Sequence, residues 1–205
     1  MPLTTPVLAD GLRRIAAHME MVADELNALD GQLGDGDLGV TMTRGGRALV
    51  ELLPKLPDDV GMALMACAQA MTKVSGSSYG TLLATGLLAA AKATRGSTEV
   101  PWSETAALLH GSLEAMQARG KASLGDKTVL DTLDAAASAA EGKAEPAEIL
   151  QAMSAAVDAI LERMRGMQAK IGRARIFGER SIGLDDPGMR AFREVLRGLQ
   201  QGPAP

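Results

Sequence analysis

The chain has 205 residues, a length that suits one domain, and 46% of them are apolar, enough for a sizeable core. Its formal charge of −4 comes from interspersed acids and bases with no basic stripe between aromatics, so nucleic acid is not an expected partner. No apolar run approaches the roughly 18 residues of a membrane span, no basic-then-apolar leader opens the chain, and the lone Cys67 has no disulfide partner. A cytoplasmic protein with no membrane role is expected.

Aromatic residues are scarce, and Ala, Leu and Met, all strong helix formers, take their place. Helical periodicity dominates and strand alternation is missing, so the expected class is all-α. A first helix over about residues 7–29 carries Leu8, Leu12, Ile15, Met19, Val22 and Leu26 at three- and four-residue steps. A second, 38–53, ends where Pro54 and Pro57 break the pattern. Asp58 or Asp59 caps a third that reaches Thr72. A fourth, 79–94, is apolar or small nearly all round, which implies burial on several sides. A fifth begins near Pro101, with Ser103 among its cap candidates, and stops at Gly120. A sixth spans 128–141, and a seventh runs from Pro146, a favoured first-turn residue, to about Gln168. Residues 172–186 form an irregular segment too long to be a passive connection. An eighth helix covers 187–199, and Gly202 to Pro205 should fray.

Eight helices joined mostly by short loops favour an antiparallel up-and-down bundle or barrel. In that topology the loops after helices one, three, five and seven emerge at the same end. Those are the four stretches of unusual composition, 30–39, 73–79, 120–128 and 172–188. The first reads Leu29-Asp30-Gly31-Gln32-Leu33-Gly34-Asp35-Gly36-Asp37-Leu38-Gly39. Its three carboxylates repel one another unless a cation neutralises them, and an oxygen-only ligand set suits Mg²⁺ or Ca²⁺. Taken alone, the stretch is equally readable as a solvated acidic turn.

The second stretch offers Ser75, Gly76, Ser77 and Ser78 at the start of helix four, either as an anion cradle or as an ordinary capped turn. In the third, Gly125-Asp126-Lys127-Thr128 belongs to the site or is a helix start capped by Asp126. Arg173, Arg175 and Arg180 in the fourth pair with phosphate or form a solvated basic face. Convergence at one end favours the functional reading of each, and the mixture describes a polyphosphate held through cations. His18 and His110 stand alone on helices, the P-loop and kinase signatures are missing, and no nucleophile elbow is present.

At these residues the chain resembles the nucleotide-binding L subunit of bacterial dihydroxyacetone kinases. The matching segments are the aspartate turn, Ser75-Gly76, Gly120-Lys121-Ala122 with Gly125-Asp126-Lys127-Thr128, Gly172-Arg173-Ala174, Gly178-Glu179-Arg180-Ser181-Ile182-Gly183 and Asp186-Pro187-Gly188. They occur in order along nearly the whole chain. The resemblance implies an eight-helix antiparallel barrel with ADP or ATP at one end. It also implies that Asp30, Asp35 and Asp37 hold two Mg²⁺ ions, with Arg173 beside them in catalysis.

For the nucleotide, the resemblance points to Leu38, Gly39, Val40 and Thr41, to Ser75 and Gly76 with Ser77, and to Gly120, Val129, Arg173, Asp186, Pro187 and Gly188. It implies a separate K subunit that holds a small ketose and receives the phosphoryl group. The donor is free ATP, or a phosphohistidine protein of the sugar phosphotransferase system that recharges retained ADP. Two departures from the family pattern stand out: Leu38 occupies a position that is often His, and the run of small residues before Ser75-Gly76 is shorter. A non-catalytic nucleotide- or anion-binding module is the alternative function, and a Ca²⁺-stabilised helical protein ranks below it. Whether the chain forms a homodimer is left open.

Overall fold

The computed structural model describes residues 1–74 and 76–202. Among them the helical pattern resolves into eight α-helices: α1 Thr5–Leu33, α2 Leu38–Leu52, α3 Val60–Val74, α4 Ser78–Ala93, α5 Thr105–Gly120, α6 Val129–Ala140, α7 Pro146–Arg165 and α8 Pro187–Gln200. Three 3-10 segments lie between them, and the longest, the nine-residue Arg173–Ser181, is kinked at Gly178. The only extended pairing among the described residues is a bridge between Leu3 and Val100. Ser75 and residues 203–205, including part of the tail expected to fray, lie outside the described residues.

Each helix packs on the next, and α8 packs back on α1, so the bundle closes into an antiparallel ring. The closure seam is tight. A side chain on Gly198 would come within 2.9 Å of the Ile15 backbone. Buried His18 and Glu194 face each other at 2.8 Å across it. Close approach also joins α1 to α2, where a methyl on Gly39 would run into the Ala23 carbonyl. Flexible Met and small Ala fill the interior between such contacts, as at Met19, Met71, Met116, Met189, Ala136 and Ala137. Cys67 is among them, and burial pushes its thiol up to about 11, which leaves it inert.

Local signals set the helix starts. Asp59 Oδ1 accepts from the Met62 N–H at 2.8 Å and opens α3. Pro146 opens α7 as its composition predicts. The α6 start is a capping box built on Thr128 and Asp131, so Asp126 is not its cap. Asp126 instead folds back onto the Ser123 N–H at 2.8 Å. Residues Trp102–Glu104 form a 3-10 turn ahead of α5, so Ser103 caps nothing and the helix begins at Thr105. Asp186 caps α8 through the Met189 N–H at 2.9 Å. Burial, opposed by that bond and by Lys127, pushes its carboxyl up to about 6.

Two consequences are measurable. Gly39→Ala should cost about 1–3 kcal/mol in urea denaturation, because α1 and α2 must separate to admit the methyl. Asp186 binds its proton more tightly folded than unfolded, so it stabilises fully below the unfolded value near 3.8 and less as pH rises through about 6. Asp186→Asn keeps the cap. Its stability relative to the parent chain should therefore climb between about pH 4 and pH 7, toward about 3 kcal/mol; a flat difference would contradict the raised carboxyl.

Candidate functional site

The polarity of the ring decides where the chemistry collects. In an antiparallel ring the N-termini of the even helices share one end with the C-termini of the odd ones. A cavity of about 530 Å³ opens there. Its wall takes Leu38 and Thr41 from the start of α2, Ser78 and Tyr79 from α4, Val129 and Leu130 from α6, and Pro187 and Gly188 from α8. The positive ends of four helix dipoles therefore face a common space. That is an environment for anions.

The acidic turn occupies one side of it. α1 continues to Leu33, so Asp30 stands on its last turn rather than in the loop after it. From there Asp30 Oδ2 accepts from the Gly36 and Asp37 N–H groups at 2.9 and 3.0 Å, which folds the turn back over the helix end. Two glycines make this possible. A side chain at Gly34 would strike the Asp30 carboxylate, and Gly36 takes a φ of 77°. The result brings one oxygen each of Asp30, Asp35 and Asp37 within 4.8 Å of one another. Asp30 is half-buried and the other two are exposed. Arg173, the first residue of the long 3-10 segment, reaches across and pairs with Asp35.

This donor set fits a hard divalent cation: three carboxylates, open to the cavity, with room for water and a further anion in the shell. Asp30 has already committed one oxygen to backbone N–H groups, which fixes its orientation and leaves its other oxygen available.

The other expected site residues divide. Gly76, Ser77, Gly120, Val129, Arg173, Asp186, Pro187 and Gly188 all line the cavity, as do Leu38 and Thr41. Leu38 is at the same time a core residue, packed with Met19, Leu26, Met42 and Ala191. Gly39 and Val40 are not among the lining residues: Gly39 forms the close contact with Ala23, and the exposed Val40 donates its N–H to Asn27 Oδ1 at 3.2 Å. Ser75 lies outside the described residues. Ser77 caps α4 by accepting from the Gly80 N–H at 3.1 Å.

Of the three arginines considered for phosphate, only Arg173 lines the cavity. Arg175 is exposed, and the Arg180 guanidinium lies 5.4 Å from the centre of the Phe177 ring. Sequence reasoning missed Tyr79, Leu82 and Arg119 on the wall. Tyr79 and Leu82 share a face of α4 one turn apart, a spacing that its N-cap at Ser77 makes readable. The Tyr79 hydroxyl is buried with no hydrogen-bond partner among the described residues, and burial beside Asp186 raises its pKa.

Residues 32–201 match the family described as the DAK2 domain. The chain is 31% identical to the PEP-dependent dihydroxyacetone kinase, ADP-binding subunit DhaL, of Escherichia coli (strain K12), with 97% of both chains covered. It is 35% identical to the triokinase/FMN cyclase of Homo sapiens, over 92% of this chain and 33% of that one. The crystal structure of the dihydroxyacetone kinase from C. freundii in complex with AMP-PNP and Mg²⁺ superposes with a TM-score of 0.74 at 26% identity, over 97% of this chain and 34% of that chain. The chain thus spans about a third of the length of the last two relatives. With its fold and family match in agreement, the chain belongs to the DAK2 domain family.

Proposed function

We propose that this chain, acting as one cytoplasmic DAK2-type domain, binds ADP or ATP with Mg²⁺ and serves as the nucleotide subunit of a dihydroxyacetone-type kinase. The observation that carries the reading is the placement of the aspartate trio: three carboxylate oxygens within 4.8 Å, on the wall of a cavity ringed by four helix N-termini. Carboxylates and phosphates meet only through a cation, whereas helix N-termini take phosphate directly. A site with both is suited to a nucleotide tail and its metal. The names of the E. coli relative (ADP-binding subunit) and of the C. freundii complex with AMP-PNP and Mg²⁺ support the same reading.

In this reading Asp30, Asp35 and Asp37 hold two Mg²⁺ ions, which supply charge neutralisation at the phosphates. Gly76 and Ser77 contact phosphate at the α4 N-terminus, and the sequence resemblance assigns Ser75 the same role. Arg173, paired with Asp35 here, would be released by a cation on the acids to pair with a phosphate oxygen, so it would balance the acids in one state and the nucleotide in the other. Leu38, Thr41, Gly120, Val129 and the Asp186-Pro187-Gly188 corner frame the remainder. The chain's contribution to catalysis is alignment and electrostatics. The acceptor, a small ketose such as dihydroxyacetone, is held by a separate K subunit. The donor is ATP or a phosphohistidine protein that recharges ADP, and the relatives named PEP-dependent and PTS-dependent favour the second.

Two variants test the assignment. Asp35→Asn should remove detectable Mg–ADP binding in titration calorimetry and leave the helical circular dichroism intact; unchanged affinity would take Asp35 out of the metal site. Arg173→Met should act with opposite signs on two titrations. Binding of Mn²⁺ alone should tighten, because a competing cation is gone. Binding of Mg–ADP should weaken by about tenfold or more, the worth of one charge-assisted bond.

A further inference from the structure

One charged residue next to the site takes no part in the chemistry above. Lys127 is 1% exposed and holds a positive φ of 63°, a conformation that costs a non-glycine residue energy. Its ammonium group donates to the carbonyls of Met167 and Ser181, each at 2.7 Å, and lies 3.4 Å from that of Arg165. Arg165 ends α7, so two of these acceptors belong to the helix end or the residues just beyond it. Such carbonyls have no partner within the helix. The third, on Ser181, closes the 3-10 segment that begins at Arg173.

The geometry makes Lys127 the neck of a loop. Residues 167 and 181 are its two ends, and a single ammonium group holds both. Arg173 projects from the span between them and reaches Asp35. The surrounding bonds brace the same neck. The Lys170 N–H donates to the Asp126 carbonyl at 3.1 Å. Ser181 Oγ accepts from the Ala169 N–H at 2.9 Å and donates to the Gly178 carbonyl at 2.6 Å. On the other side, the Asp131 carboxylate accepts from the Gly125 and Thr128 N–H groups at 2.6 and 2.8 Å and anchors the turn that carries Lys127 to α6. Lysine suits this post because it offers three donors and no acceptor to carbonyls that converge from a helix end and a loop end.

We propose that Lys127 is a positioning residue that ties the base of loop 167–181 and thereby aims Arg173 at the aspartate trio and at the phosphates. The inference rests on the nucleotide reading given above. Without the neck, the loop gains conformational freedom and Arg173 loses its fixed starting point, which weakens every bond that depends on its orientation.

The experiment is a double-mutant cycle with two readouts, Mn²⁺ binding followed by electron paramagnetic resonance and Mg–ADP binding followed by calorimetry. Lys127→Met should reproduce both signs of Arg173→Met: tighter bare Mn²⁺, and Mg–ADP weakened by about tenfold. In an Arg173→Met background it should add less than about twofold to either, because its effect runs through that arginine. General loosening of the cavity would weaken both ligands and add to Arg173→Met, and that result overturns the proposal. Should Lys127→Met fail to fold, Lys127→Gln, which keeps a donor for one carbonyl, is read in the same way, and a parental profile overturns the proposal. A silent Arg173→Met overturns the nucleotide role of Arg173 together with this inference. An effective Arg173→Met beside a silent Lys127→Met overturns this inference alone.

Discussion

Like charge held at close range is the constraint around which this structure is arranged. Two carboxylates about 4 Å apart repel by about 1 kcal/mol in water and by about 4 kcal/mol where the effective dielectric falls to ~20. Asp30, Asp35 and Asp37 make three such pairs at the mouth of a cavity. The chain spreads the compensation over several sources. Backbone N–H groups of the turn bond to Asp30, Arg173 pairs with Asp35, and the N-terminus of α2 begins immediately after Asp37. Each source is partial. In the proposed reading a divalent cation would satisfy all three acids at once, and a polyphosphate would then satisfy the cation. Metal and nucleotide binding would in this way be two stages of one electrostatic balance.

The ring supplies the geometry for that balance. An even number of antiparallel helices puts all four even N-termini at one end, so the positive dipole ends meet the negative acidic turn across a single cavity. Holding eight helices in a closed ring needs close backbone contacts at the seams, which explains glycine at 39 and 198 where a methyl would collide with a neighbouring helix. The same scaffold leaves the working parts on short, tied segments. The aspartate turn is folded by its own side chain, and the arginine loop is tied at its base by Lys127. Near the cavity end Asp186, Tyr79 and Lys127 all have pKa values displaced by burial.

Much of this was legible in the sequence, and the parts that were not share a cause. Helix existence followed from three- and four-residue apolar steps, the start of α3 from a cap candidate at Asp58 or Asp59, and that of α7 from the first-turn Pro146, whereas the Asp186 cap of α8 was not read. The convergence of the odd-numbered loops followed from topology alone. What escaped depended on contacts between distant residues. α1 runs past Gly31 because Leu33 is buried against Ala169 and Ala174, a tertiary gain that outweighs local helix propensity. The 172–186 segment reads as irregular, yet Phe177 and Leu184 pack on that same cluster and fold it into 3-10 turns. Gly39 is expected at the nucleotide from resemblance, and its close contact with the Ala23 backbone is a tertiary feature that no local signal shows. The role of Lys127 is not readable in the Gly125–Thr128 turn because nothing local shows that the end of α7 will arrive beside it.

The central claim is that cations join the aspartate trio to a nucleotide's phosphates. A high-resolution crystal structure grown with Mg²⁺ and ADP tests it most directly. The account predicts octahedral density at about 2.0–2.1 Å from oxygens of Asp30, Asp35 and Asp37, shared with phosphate oxygens inside the cavity. ADP seated in the cavity with no metal bridging to any of the three, or bound elsewhere on the molecule, would contradict it.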